Sequence, residues 1–208
     1  MWTDDDRKML LDFKETVDSD DIKVKEQIKK VLLNNRFIVH ALNNKELEEA
    51  DAKPEDYFNV NILPYYLIAP TQTDTQNFIC YEVSYAEVDR YNPAIKLLQV
   101  IFYVLCHQLD NIDEETGLAR HDLLAALIQE QFNFTTYIGG GKLKLISDKP
   151  SVTDTNYAAR TLIFEQRTDN NLVKSNSFKH FSPLQGVSRF ANKDTQFLAE
   201  ITEPEDQF

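Results

Sequence analysis

An α+β domain is the fold class this sequence predicts: a mostly antiparallel sheet of about five strands with two main helices packed on it. Three observations predict it. The hydrophobic period changes from helical spacing to alternation near residue 58, returns to helical spacing over residues 117–132, and changes back for two closing strands. The order is therefore α-β-β-β-α-β-β, with an N-terminal helix and a C-terminal arm added. Residues 1–20 form an acidic N-terminal segment, 21–168 the α+β domain and 169–208 the arm.

Each element has its own signals. In "TDDDRKMLLDF", Thr3 and Asp6 have capping-box spacing, which opens a short helix with Met9, Leu10 and Phe13 on one face. The same residues also read as a solvated acidic tail. "SDDIKVKEQIKKVLLNNRFIVHAL" follows, capped by Asp20 or Asp21, with Ile22, Ile28, Val31 and Leu32 at roughly helical spacing; "NNRF" ends or breaks it. "NNKELEEADAKPEDYF" is polar, carries Pro54 and reads as a loop. "FNVNILPYYLIAP" alternates and gives the first strand. "NFICYEVSYAEV" gives the second, with Phe78, Cys80 and Glu82 on one side and Ile79, Tyr81, Val83 and Tyr85 on the other. After the turn "DRYNPA", "IKLLQVIFYVLCH" is almost continuously apolar, the pattern of a strand in the middle of its sheet. "GLARHDLLAALIQEQF" carries a stripe of Leu124, Leu127, Ile128 and Phe132. "TTYIGGGKLKLIS" is a glycine turn into the fourth strand, and "NYAARTLIFEQRT" is the fifth. From Asp169 on the chain is polar with scattered aromatics (Phe178, Phe181, Phe190, Phe197), the composition of an arm that packs on something else.

Bulk properties exclude several classes. A chain of 208 residues buries a sizeable core without staples. Its net charge of −12 argues against binding in a nucleic-acid groove, where lysine and arginine must neutralise phosphates. Two cysteines, Cys80 and Cys106, each within an apolar run, make no disulfide framework and point to a reducing cytoplasm. The N-terminus lacks signal-peptide organisation, and no apolar run approaches the ~20 residues of a membrane span.

The densest chemistry lies in "CHQLDNIDEETGLARHDLL", Cys106 to Leu124, with two histidines and five carboxylates (Asp110, Asp113, Glu114, Glu115, Asp122). A calcium loop fails in both registers: counting from Asp110 puts Ile112 at the third position, and counting from Asp113 brings glycine too early. For zinc, His107 and His121 form no HxxxH pair, and Cys106 and His107 alternate to opposite faces of a strand. A strand end, a polar crossing and a helix capped by Asp113 or Thr116 account for the same residues. "GGGK" (Gly139 to Lys142) lacks the phosphate-loop pattern, because Leu143 follows the lysine. Neither cysteine is paired by spacing with His40, His107, His121 or His180, and the nine tyrosines lack the basic interleaving of a base-stacking platform. The residues give no catalytic, cofactor-binding or metal set. The enzyme alternative is a metal-dependent hydrolase using His107, Asp110, Asp113 and His121.

The element order, with the phrases "ILPYYLIAPTQTDTQNFICYEV", "LLQVIFYVLCH" and "ARHDLLAALI", resembles tailed-bacteriophage neck proteins, and within them the tail-terminator (tail-completion) family of long-tailed phages. The resemblance runs over about residues 21–168 and lies in order and local flavour rather than in one motif. It implies a structural, non-enzymatic virion protein without cofactors. Such a protein forms a homo-oligomeric ring, typically a hexamer, that caps the tail tube and joins the tail to the DNA-filled head; another head–tail connector ring is the alternative within the same class. The implied partners are further copies of the chain, the tail tube protein and a head-side connector protein, with DNA passing through the lumen unbound and no membrane involved. The implied location is the virion neck, reached from the host cytoplasm. Asp110, Asp113, Glu114 and Glu115 are then expected to face the channel or a partner ring.

Overall fold

Helix α1, Asp20–Asn34, opens the main unit of this computed structural model. The structure describes residues 3–8, 20–66, 75–88, 95–138, 141–154 and 156–169. Residues 3–8 belong to one compact unit and the rest to another. In the first, the expected capping box is formed: the Thr3 amide donates to Asp6 Oδ2 at 2.8 Å and the Asp6 amide to Thr3 Oγ1 at 3.2 Å. The expected packing of Met9, Leu10 and Phe13 lies outside the described residues.

In α1 the buried stripe is Val24, Ile28 and Leu32, one residue every four, while Ile22 and Val31 are only half-buried. Asn35 breaks the helix as expected. Its backbone is extended, and its side chain accepts from the amides of Phe37 and Ile38, starting helix α2, Arg36–Ala41.

The expected loop over residues 43–58 is instead largely ordered into short helices. Asn44 accepts from the Leu47 amide and starts α3, Lys45–Glu49; Pro54–Tyr57 is a 3₁₀ turn with the Lys53 amide donating to Asp56. Polar side chains that make a segment read as loop here satisfy the orphan amides of helix ends. The first strand also shrinks, to β1, Ile62–Leu63, because Pro64 has no amide to extend the ladder; residues 67–70 lie outside the described residues.

The remaining strands run long: β2 Phe78–Val88, β3 Ile95–His107, β4 Lys144–Asp154 and β5 Tyr157–Asp169. Their order across the sheet is β1-β2-β3-β5-β4, every pair antiparallel except β1 with β2. The nearly continuous apolar strand β3 is central, as its composition requires. Alternation divides β2 as read from sequence. Ile79, Tyr81, Val83 and Tyr85 join the main core with the helices, whereas Phe78 and Cys80 join a second cluster on the opposite face with Leu63, Leu105, Tyr157 and Ala159.

Helix α4, Arg120–Phe132, covers the main face with Leu124, Ile128 and Phe132 buried. Phe102 of β3 lies against it, its ring 4.9 Å from Phe132 and edge-on to Phe164 at 5.7 Å. Capping of α4 departs from expectation. Ala119 is the N-cap residue and makes no side-chain cap, and the Arg120 amide donates to Asn111 O at 2.6 Å. After α4 the chain turns back through reciprocal bonds, Phe134 amide to Leu143 O and Leu143 amide to Thr135 O. Gly141 then passes so close to β5 that a Cβ would stand 2.8 Å from Arg167 O, so glycine is required by approach.

Candidate functional site

Strand β3 delivers His107 to one end of the sheet, and residues 108–119 cross that end before α4 begins. The acidic residues of this crossing divide into two that turn inward, Asp110 and Asp113, and two that stay out, Glu114 and Glu115. Asp110 accepts from Asn43 Nδ2 at 2.8 Å on one oxygen and from Asn77 Nδ2 at 2.6 Å on the other. Asn77 is fully employed, since it also donates to Leu42 O and accepts from the His107 amide. Behind it, Asn61 donates to Asn77 O and accepts from Asn44, which caps α3. Asn44, Asn61 and Asn77 are all buried. This asparagine relay supplies partners to backbone groups that the loops leave unpaired.

Arg120 completes the arrangement from the first residue of α4. With 4% of its side chain exposed, it donates from Nε to Asp110 O at 2.9 Å and from Nη1 to Ala41 O at 3.0 Å. It further donates to Asp113 Oδ1 at 3.3 Å and to Ile112 O at 3.4 Å, and Nη2 lies 3.5 Å from Asp110 Oδ1. Asp113 accepts from the Thr116 hydroxyl and amide, closing a turn that passes through Gly117 at φ +70°. The Thr116 hydroxyl, foremost, holds the Asp113 carboxyl below the ordinary carboxylate range; the Thr116 amide and Arg120 add to this, while burial opposes it. A buried guanidinium with two carboxylates and three carbonyls on its fork is a structural clamp.

The four residues of the hydrolase alternative do not converge. His107 is buried, with Nδ1 accepting from the Leu109 amide and its ring edge-on to Tyr157 at 5.2 Å. Asp110 and Asp113 hold Arg120. His121 pairs through Nδ1 with Asn111 Oδ1 at 2.8 Å, and its Nε2 lies 3.4 Å from Asp122. Among the described residues no group of three or more His, Cys, Asp or Glu side chains is placed to hold a metal ion. Cys106 is fully buried, and that burial pushes its thiol far above the ordinary range, the opposite of an activated nucleophile.

A second polar cluster ties α4 to the sheet. Arg160 of β5 grips Asp148 of β4 with a two-pronged fork, Nε to Oδ1 at 2.6 Å and Nη2 to Oδ2 at 3.0 Å, and also bonds Asp122 of α4. Gln129 donates to Asp148 at 2.6 Å. The Arg160 fork, foremost, holds the Asp148 carboxyl below its ordinary range. Sequence reading missed Arg120, Arg160 and the asparagines. The one available signal was a lone arginine beginning an apolar helix behind four carboxylates.

Beside exposed Glu114 and Glu115, the crossing also offers apolar side chains to solvent. Leu109 is 86% exposed, Ile112 62% and Leu118 53%, each beside an anchored residue. The expectation that Asp110 and Asp113 face a channel or partner ring is therefore corrected: both point into the clamp, and Glu114 and Glu115 alone of the four carboxylates remain exposed.

No helix among the described residues is long and apolar enough to cross a membrane. Compared with curated proteins, the sequence finds no match. The family model YomW matches residues 26–166, a span that runs from α1 to β5 and includes the clamp, the crossing and both faces of the sheet. On that match over more than half its length, the chain belongs to the YomW family.

Proposed function

We propose that this chain is a structural, non-catalytic subunit of a phage-derived particle, acting as a neck ring that caps the tail tube and connects it to the head. The observation that carries the reading is the commitment of the chemistry-bearing crossing. Its inward carboxylates are spent on Arg120 and asparagines, while Leu109, Ile112 and Leu118 project outward on a loop that this clamp fixes. Rigid exposed apolar groups suit protein–protein contact, and a monomer gains nothing from them. The family name suggests a phage-derived protein, and the order of helices and strands supports the tail-terminator resemblance. Around a ring, −12 per subunit supplies a negative lumen through which DNA passes without adhering.

Mass photometry and negative-stain microscopy of the purified chain test this. The expected result is a closed ring with a central channel that blocks extension of tail tubes assembled from the same phage's tube protein. A chain that stays monomeric at every concentration and leaves tube growth unaffected overturns it. Metal analysis separates the hydrolase alternative, which requires stoichiometric bound metal.

A further inference from the structure

The two ends of helix α4 carry unlike surfaces. At its N-terminal end Asp110 and Asp113 are held by Arg120 and Asp122 by Arg160, which leaves Glu114 and Glu115, the latter 3.5 Å from His40, as the outward acids beside exposed Leu109, Ile112 and Leu118. At its C-terminal end, residues 133–149 hold three lysines to one aspartate, and that aspartate, Asp148, is already taken by Arg160. There Phe134 is 62% exposed and Tyr137 64%, with Ile146 close behind at 47%. The Phe134–Leu143 backbone bonds set exposed Lys142 and Lys144 on either side of buried Leu143, next to Phe134. Helix α2 runs antiparallel to α4, from Asn35 bonded to Gln131 to Ala41 bonded to Arg120, and places exposed Arg36 and Phe37 at this same basic end. The thirteen residues of α4 separate the two ends by about 20 Å.

We propose that these surfaces bind each other between copies: the aliphatic, acidic knob of one copy seats against the aromatic, basic patch of the next. Both halves are needed on every subunit, and they do not overlap. With one knob seated on one patch at each junction, the contact is heterologous and propagates head to tail, closing into a ring when the rotation permits. Charge complementarity selects the occupant. A chain with net charge −12 repels a random approach of its own kind, so self-association requires a local basic surface, and residues 133–149 provide one. The inference rests on the ring reading and deepens it by naming the two surfaces.

The test uses the full chain and charge reversal. Glu114→Lys with Glu115→Lys makes the knob basic; Lys142→Glu with Lys144→Glu makes the patch acidic. All four positions are exposed, so far-UV circular dichroism and the unfolding midpoint should match the parent. Mass photometry over a dilution series should show each variant alone assembling about tenfold or more weaker than the parent. An equimolar mixture should regain assembly, because the basic knob of one variant then meets the acidic patch of the other, while the unaltered acidic knob meets the unaltered basic patch. Leu109→Asp should weaken assembly in the same way without rescue by mixing. Assembly of the parent that survives all these changes overturns the contact and leaves the ring reading standing. Loss in both variants without rescue on mixing overturns the pairing of these two surfaces. A parent that never assembles overturns both.

Discussion

Arg120 shows how a side chain that looks like chemistry becomes architecture. Its fork reaches three carbonyls and two carboxylates drawn from the end of α2 and from the crossing, whose first residues, Gln108–Asp110, form a 3₁₀ turn. Arg120→Ala takes the guanidinium donors from the Ala41, Asp110 and Ile112 carbonyls and the buried counter-charge from Asp110 and Asp113, so it should lower stability by about 3–5 kcal/mol in urea unfolding. Arg120→Lys should rescue little, because an ammonium cannot span the same fork. Asp148 carries a pH signature. Its folded-state pKa lies below the unfolded value of about 3.9, so its contribution is complete above that value and is lost as pH falls toward the folded pKa. Asp148→Asn should therefore cost about 1–2 kcal/mol at neutral pH and flatten the loss of stability below about pH 4, read from unfolding midpoints across an acid series. Cys106 needs no pairing partner to explain its place. Buried under α4 with its thiol pushed up by burial, it should react with a thiol reagent only at the rate of unfolding.

At the scale of elements, the main face of the sheet depends on Phe102, which meets Tyr81, Phe132 and Phe164. Phe102→Ala should cost about 3–5 kcal/mol, and Gly141→Ala should also destabilise, because the methyl meets the Arg167 carbonyl rather than a side chain that could move. Strands β2, β3 and β5 and helix α4 were legible in the sequence because burial writes itself as period: two for Ile79, Tyr81 and Val83, and near 3.6 for Leu124, Ile128 and Phe132. Helix α3 and the 3₁₀ turn were not, since Asn44 and Asp56 act through single hydrogen bonds that leave no period. The same reason hid the asparagine relay. The crossing misled in the opposite direction: the density of Asp110, Asp113, His107 and His121 was plain, whereas the direction each side chain takes depends on Arg120, Asn43 and Asn77, from three separate stretches of chain. Legibility ended where function would be read.

For the whole molecule, net charge and local charge pull against each other in assembly. Copies carrying −12 repel over distances that salt screens, with a Debye length of about 30 Å at 0.01 M and about 8 Å at 0.15 M. A seated knob holds Glu114 and Glu115 near Lys142 and Lys144 at close range and partly out of water, where screening acts less. The first salt added should therefore remove repulsion faster than attraction and strengthen assembly. Around molar salt, with a Debye length of about 3 Å, the contact pairs themselves weaken and only the apolar component from Leu109, Ile112 and Leu118 persists. The expected curve is a maximum near physiological ionic strength, measured by sedimentation or mass photometry across a sodium chloride series. The Glu114→Lys and Glu115→Lys protein replaces that attraction by repulsion between two basic surfaces, on top of a net charge that is still negative. Its weaker assembly should rise steadily with salt as both repulsions are screened, and a maximum retained in that variant would place the charge contact elsewhere on the chain.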